Sequence, residues 1–213
     1  MKQLRLAALL TPALILSACA RTGEIDATGG ISAVRTACPT VGVAAGTGDI
    51  TLFDPPVSRE QSAIDVAAVM TNVRSTCNDA GDQIATTVTF DVLARRTRAD
   101  AAREVVLPYY IAVVRGGNAV TAKRVGRLAV RFEAGQARAA AQGQATSYVA
   151  RSAATLPQNV REQLTRRRRA GDEDAAVDPL TQPEVRQAVL AATFEALVGF
   201  QLTDEQLRYN ATR

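Results

Sequence analysis

The feature that most constrains the fold is an alternation of residue types in the middle of the chain. Every second residue from Ile84 to Val92 is apolar or threonine, and the residues between them are Ala85, Thr87, Thr89 and Asp91. Successive side chains of a strand point to opposite faces, so this pattern predicts a strand with one buried face and one face in water. Such a strand is typical of an antiparallel sheet that covers a core on one side.

Further segments extend the β-type pattern on both sides of this strand. A strand is predicted at 64–74, because Val69-Met70-Thr71 favours extended structure, although Ser58 offers a cap for a helix there instead. Gly116-Gly117-Asn118 is typical of a hairpin turn. The other predicted strands are at 41–44, 50–53, 105–114, 120–132, 137–150 and 194–202. We therefore expect a mainly β fold, a single immunoglobulin-like or fibronectin-like antiparallel β-sandwich.

Three features are expected to interrupt the strands. Arg95, Arg96 and Arg98 indicate a solvated loop after the alternating strand. Pro108 lacks a backbone donor and therefore indicates a bulge or a sheet edge. Gly126 indicates a bulge in the returning strand of the hairpin.

Short helices are expected near the C-terminus. Pro183-Glu184 begins a helix that runs to about Leu190, with proline in its favoured first turn. The alternation of Phe194–Leu202 predicts the closing strand, with a continuation of the helix as the alternative. Thr203 and Gln206 then form a capping box for a last helical turn.

The N-terminal residues 1–18 are predicted to be a signal peptide. Lys2 and Arg5 precede a short apolar run, and Ser17-Ala18 are the small residues that a signal peptidase requires. With Cys19 directly after them, the stretch resembles a bacterial lipobox. The alternative is an ordinary secretory signal that happens to end in cysteine.

The lipobox resemblance implies a lipoprotein held in a membrane through Cys19. In that class the cysteine sulfur receives diacylglycerol and the new amine is acylated, for example with palmitate, and several acyl chains anchor a protein stably. Ala20 stands where an aspartate would retain the protein in the inner membrane. We therefore expect an outer-membrane anchor with the domain facing the periplasm, and exposure on the cell surface as the alternative.

The rest of the chain divides into a tether and one domain. Residues 19–37 are small, polar or charged and predict a flexible tether. Residues 38–213 are predicted to form the single sandwich domain, with a charged, partly helical insertion at about 158–191 before the last strand. A domain of this size can bury a sizeable core.

The cysteines predict one disulfide. In an exported chain with Cys19 acylated, Cys38 and Cys77 most simply pair with each other. Two buried thiols are the alternative. A zinc site is less favoured, because the chain contains no histidine and two thiols fall short of four ligands.

The charges give no general argument for a polyanionic partner. Of the 25 basic residues, Lys2 and Arg5 are removed with the signal peptide, which leaves 23 against 21 acidic residues, so no nucleic-acid partner is expected. Two local clusters are candidate contacts with an anionic surface, and the alternative for both is a solvated charged segment. They are Lys123, Arg127 and Arg131 on one strand face, and Arg166, Arg167, Arg168 and Arg169 in the insertion.

No pattern in the chain predicts catalysis. Without histidine, Ser-His-Asp and Cys-His mechanisms are excluded. Carboxylate pairs such as Asp91 with Glu104 have no spacing that brings them together. A calcium site at Asp172, Glu173, Asp174 and Asp178 does not follow the EF-hand spacing. We expect a protein that is not an enzyme and has no cofactor or metal.

Several segments together resemble a group of uncharacterised alphaproteobacterial lipoproteins. They are Val73-Arg74-Ser75-Thr76-Cys77, Val88–Arg96, Pro108–Val114 and the ending Val198–Asn210. The resemblance runs from about Cys38 to the C-terminus. It implies an exported lipoprotein with a β-sandwich domain, and it implies no reaction.

The sequence thus predicts a lipid-anchored accessory or scaffold protein of the cell envelope. Its expected partner is another envelope protein, bound through a sheet edge or the charged stretch. The alternative is a binding module for an anionic glycan or lipid, such as lipopolysaccharide or murein, that uses the two basic clusters. A carboxylate-based hydrolase is the third hypothesis.

Overall fold

The computed structural model describes residues 36–166, 171 and 177–212. The predicted signal peptide, Cys19 and most of the tether lie outside these residues. Eight strands are found in the described part, namely β1 Thr40–Val43, β2 Asp49–Phe53, β3 Ile64–Asn78, β4 Gln83–Arg96, β5 Arg103–Arg115, β6 Ala119–Phe132, β7 Arg138–Ala150 and β8 Phe194–Phe200. The helices are α1 Arg151–Ala154, α2 Gln158–Thr165, α3 Pro183–Ala191 and α4 Asp204–Thr212, with 3₁₀ turns at Gln61–Ala63 and Pro179–Thr181.

The strands form two four-stranded sheets, which confirms the predicted mainly β sandwich. Sheet I has the order β2-β3-β4-β7, and sheet II has the order β1-β8-β5-β6. Segment 64–74 is a strand rather than a helix, and Phe194–Phe200 is the closing strand. All the ladders are antiparallel except that β1 pairs with β8 in parallel.

The central strand pairs follow the immunoglobulin pattern, whereas the sheet edges differ from it: β2 lies beyond β3, and among the described residues no strand lies beyond β7. The pairs β3–β4, β4–β7 and β5–β8 correspond to the A–B, B–E and C–F pairs of such a sandwich. The place of the last strand, beside β8, is taken by β1 from the start of the domain. A strand that arrives from the N-terminal side runs parallel to β8, and the chain after β8 continues as α4 instead.

The larger of two apolar clusters lies between the sheets, and the smaller one contains Ile84, Val113, Val149, Ala154 and Phe194. The side chains that alternate inward from β4 contact those of β5, β6 and β8, and the largest of them are almost fully buried. The main members of the larger cluster are Ile50, Val66, Val88, Phe90, Val92, Leu107, Ile111, Val130, Phe132, Val198 and Phe200. The predicted alternation from Ile84 to Val92 is confirmed, since its inward residues are 0–1% exposed.

The predicted disulfide between Cys38 and Cys77 is present. Their Cα atoms are 6.1 Å apart, within the normal range for a disulfide. The bond joins Cys38, two residues before β1, to Cys77, the last but one residue of β3, so it links the start of the domain to sheet I.

The predicted loop at Arg95 and Arg96 is wrong, because β4 continues through both residues. Arg96 is only 6% exposed and its guanidinium donates to the backbone carbonyls of Ala99, Ala101, Glu133 and Gln136. Carbonyl groups from two loops therefore replace the water that a charged side chain needs. The alternation of β4 places Arg96 on the inward face, but the carbonyl groups that bind it are not predictable from that pattern.

Pro108 lies in β5 just before the β5–β8 ladder begins at Tyr109, so it lies at a local edge on that side, which is one of the two predicted alternatives. Its carbonyl accepts from the backbone N–H of Gln201, just beyond the end of β8 at Phe200. In an antiparallel strand the N–H and C=O of one residue point the same way, so the missing donor of Pro108 faces the position where β8 has ended. No ladder bond to β8 is lost there.

The predicted bulge at Gly126 is wrong. Gly126 pairs in register with Tyr109, and the irregularity of this hairpin lies between Val113 and Val114. A Cβ atom on Gly126 would lie 2.5 Å from the ring of Tyr109. The glycine is therefore required by a ring that crosses it.

This ring belongs to an aromatic pair that closes one side of the sandwich. Tyr109 of sheet II packs edge-on against Phe90 of sheet I, with ring centroids 5.1 Å apart. The Tyr109 hydroxyl donates to the Gln144 carbonyl of β7 at 2.8 Å. Phe90 in turn lies over Gly143, where a Cβ would come within 2.3 Å of the ring.

Helix α4 closes the open end beside β2, and its capping box is confirmed. The Thr203 N–H donates to Gln206 Oε1 at 2.9 Å, and the Gln206 N–H donates to Thr203 Oγ1 at 3.2 Å. The ring of Tyr209 packs edge-on against Phe53 with centroids 5.1 Å apart. The helix is longer than the single predicted turn.

We expect Gly143→Ala to destabilise the folded protein by about 1–3 kcal/mol, because the added methyl forces the buried Phe90 ring out of its position. Urea unfolding of the oxidised protein measures this change. Gly81→Ala is the matched control, since a Cβ added at Gly81 would have no neighbouring atom within 4 Å. Equal losses in the two variants would contradict the packing role of Gly143.

Candidate functional site

The strand-face cluster predicted as an anionic contact lies on the outer face of sheet II. Lys123, Arg127 and Arg131 are four residues apart along β6, on the face opposite the buried Val130 and Phe132. Two of the three charges already have a local partner. The Lys123 ammonium lies 4.5 Å from the centroid of the Tyr110 ring, and Arg131 Nε donates to Glu133 at 2.9 Å.

The second predicted cluster is only partly described. Arg166 follows the last residue of α2 and is exposed. Arg167, Arg168 and Arg169 lie outside the described residues, so their prediction stays a prediction. Asp178 caps a 3₁₀ turn by accepting from the Leu180 N–H at 2.9 Å, and the described residues contain no cluster of three or more potential metal ligands.

The ion-pair cluster around Asp65 is a structural feature. Asp65 is buried, and its two carboxylate oxygens accept from Arg103 at 2.6 and 2.8 Å. Arg98 lies 3.7 Å away and also pairs with Asp54. The hydrogen bonds from Arg103 lower the pKa of Asp65 below its usual value, despite the opposing effect of burial. A carboxylate held as an anion in this way is a poor proton donor or acceptor.

The strongest candidate site is a groove on the outer face of sheet I, with a volume of about 420 Å³. We call it the outer-face groove. The side chains that point outward into it come from all four strands of the sheet, and they are Asp49, Thr51, Ala67, Val69, Leu93, Arg95 and Arg138.

Strand register arranges these side chains in two rows. One row runs across β2, β3, β4 and β7 as Thr51, Ala67, Arg95 and Arg138, and the next one as Asp49, Val69, Leu93 and Ala140. The depression lies over Ala67, because alanine is much smaller than its neighbours Val69, Leu93 and Arg95. The groove therefore exists because a small residue lies among large ones.

One side of the groove, beside Ala67, is apolar and open to solvent. Val69 and Leu93 are paired across β3 and β4, and they are 44% and 49% exposed. Their side chains point away from the core, so packing between the sheets does not require large apolar residues here. Exposed apolar surface next to polar groups is typical of a binding site.

The β4–β7 end of the groove is basic. Arg95 and Arg138 are opposite each other in the ladder and both are exposed. Throughout the described chain, neither guanidinium group makes a hydrogen bond or an ion pair. Asp49 is the one carboxylate among the described residues that line the groove, and it belongs to the opposite edge strand. This arrangement suits the binding of a molecule with an apolar part and a negative charge.

Sequence reasoning did not select these residues. It placed Arg95 in a loop and did not consider Arg138. The signal that could have found Arg95 is the alternation of β4, which continues past Val92 and puts Leu93 and Arg95 on the outer face. The approach of Arg138 depends on the β4–β7 register, which the sequence does not reveal.

Comparison with known proteins found no matching protein-family model, no matching curated protein and no matching solved structure. The resemblance to the alphaproteobacterial lipoproteins thus stays a prediction. In the described part of the chain, the helices are too short or too polar to cross a bilayer.

Asp65→Asn is expected to destabilise the protein by roughly 1–3 kcal/mol at pH 7, because Arg98 and Arg103 lose their carboxylate. The pKa of Asp65 is lowered on folding, so its contribution is complete above the usual value of 3.8 and disappears as the pH falls through the folded value. We expect urea unfolding at pH 7 and at about pH 2 to show that the difference in the free energy of unfolding between wild type and variant disappears in acid.

Asp91→Asn is the control for this experiment. The Asp91 carboxylate accepts from the amides of Asn72 and Gln142, which are neutral donors. If the loss of unfolding free energy caused by Asp65→Asn is the same at both pH values, the ion-pair explanation is wrong.

Proposed function

We propose that this protein is a lipid-anchored, non-catalytic accessory protein of the cell envelope that binds another envelope component in the outer-face groove. The observation that carries this proposal is the exposed Val69–Leu93 pair beside Arg95 and Arg138, whose guanidinium groups make no hydrogen bond or ion pair within the described residues. Apolar surface and uncompensated charge in one depression are both stabilised by a ligand that covers them.

The sequence supplies the cellular part of the proposal. Cys19 would carry the acyl groups, and residues 20–37 would connect the anchor to the domain. A disulfide between Cys38 and Cys77 is consistent with an oxidising compartment such as the periplasm. The absence of aspartate at Ala20 favours the outer membrane as the site of anchoring.

The groove is a better candidate for an anionic component than the basic face of β6. On β6, Tyr110 and Glu133 already engage Lys123 and Arg131. The groove, by contrast, combines a depression with two guanidinium groups that have no partner in the described chain. The preferred binding surface for an anionic component is therefore the groove on sheet I rather than the outer face of β6 on sheet II.

Cross-linking and capture from native envelopes tests the proposed surface. We expect the acylated protein to recover a defined component in stoichiometric amount, and Ala67→Leu to abolish that recovery by filling the groove. Ala129→Leu is the matched control, because it adds the same group to the outer face of sheet II. If Ala67→Leu and Ala129→Leu recover the component equally, the groove does not bind it.

Metabolic labelling with palmitate tests the anchor. We expect label in the wild-type protein, and we expect Cys19→Ala to abolish both the labelling and the outer-membrane fractionation. Cys38→Ala is the control for loss of a cysteine that is not acylated, and it should retain the label. Equal labelling of Cys19→Ala and wild type would show that Cys19 is not the acylated residue.

A further inference from the structure

The two arginines of the outer-face groove repel each other, and no carboxylate of the described residues forms an ion pair with either of them. Arg95 and Arg138 are directly opposite in the ladder, so their Cβ atoms are about 5 Å apart on one face, where like charges are destabilising. Asp65, the carboxylate two residues before the β3 partner of Arg95, is already bound by Arg103. An anion placed between the two guanidinium groups would remove this repulsion.

The apolar side of the groove begins directly beside the arginines. Leu93 is two residues from Arg95 on the same face of β4, and Val69 continues the apolar surface on β3 toward the edge strand β2. A ligand with its charge at the arginines would therefore lay its other end across Leu93 and Val69. Covering these side chains removes apolar surface from water.

The volume of the groove limits the size of the ligand. At about 420 Å³, it is near the lower end of the range for small-molecule sites, which is about 300–1,000 Å³. This space suits one unbranched chain and is too small for a lipid with several acyl chains. Guanidinium groups bind carboxylates through paired hydrogen bonds, which matches a small planar head group.

We propose that the outer-face groove binds a single-chain acyl carboxylate. Its carboxylate lies between Arg95 and Arg138, and its chain crosses Leu93 and Val69 toward β2. This inference rests on the proposed function, because it names the chemical class of the component that the groove holds. Because the site is open to solvent, its charge interaction weakens as salt rises.

Photo-cross-linking with a diazirine-bearing decanoate tests the inference. The acylated full-length protein is held in nanodiscs of neutral phospholipid, and the labelled peptide is mapped by mass spectrometry. We expect label on the peptides that contain Leu93 or Val69. We also expect free decanoate to compete for labelling. Decyl maltoside, which has the chain but no carboxylate, and acetate, which has the carboxylate but no long chain, should compete little.

A pair of double variants isolates the contribution of the arginines. Arg95→Gln with Arg138→Gln is expected to weaken labelling about tenfold or more, since hydrogen bonds to charged groups contribute that much to affinity. Arg127→Gln with Arg131→Gln makes the same change in net charge on sheet II, and it should leave labelling unchanged. Thermal unfolding of both proteins shows whether each is folded.

Three results would overturn the inference, and they are distinct from failure of the proposed function. They are equal labelling of the two double variants, stronger competition by decyl phosphate than by decanoate, and absence of specific label. If any of these occurs while Ala67→Leu still abolishes capture from envelopes, the groove binds another class of component. If Ala67→Leu leaves capture intact, the proposed function itself is wrong.

Discussion

Contact between the inward face of β4 and the facing sheet is the interaction on which the rest of the structure depends. β4 is bonded along nearly its whole length to β3 on one side and β7 on the other, and its inward side chains reach sheet II. Phe90 packs against Tyr109 of sheet II, and Tyr109 in turn bonds the backbone of β7. The two sheets are therefore joined by side chains where no strand connects them. This arrangement requires glycine at 126 and 143, where the rings pass close to the backbone.

The same alternation that builds the core also creates the candidate site. With Val92 and Ala94 directed inward, Leu93 and Arg95 must point outward. Their outer-face neighbours on β3 and β7 are then set by ladder register, which brings Ala67 and Arg138 beside Arg95. Packing in the core does not constrain these outward positions, so they are free to carry a binding function.

Predictions from the sequence were accurate where residues close together in the chain determine the local structure. The alternation from Ile84 to Val92, the hairpin at Gly116-Gly117-Asn118 and the capping box of Thr203 were all confirmed, because each depends on neighbours within a few residues. The predictions for Arg96 and Gly126 failed because their causes are distant in sequence. Arg96 is buried by carbonyl groups up to 40 residues away, and Gly126 is required by the ring of Tyr109.

The sequence by itself determined the strands, the sandwich class and the pairing of Cys38 with Cys77. The strands follow from residue periodicity and turn residues, which are local features of the chain. The disulfide follows from the small number of cysteines, which leaves one simple pairing. Only the tertiary structure decided which side chains meet across the sheet. The pairing of Arg95 with Arg138 joins residues 43 positions apart through ladder register, and the groove beside them exists because Ala67 is the small residue in that row. Register depends on the packing of the whole core, so no local pattern contains it.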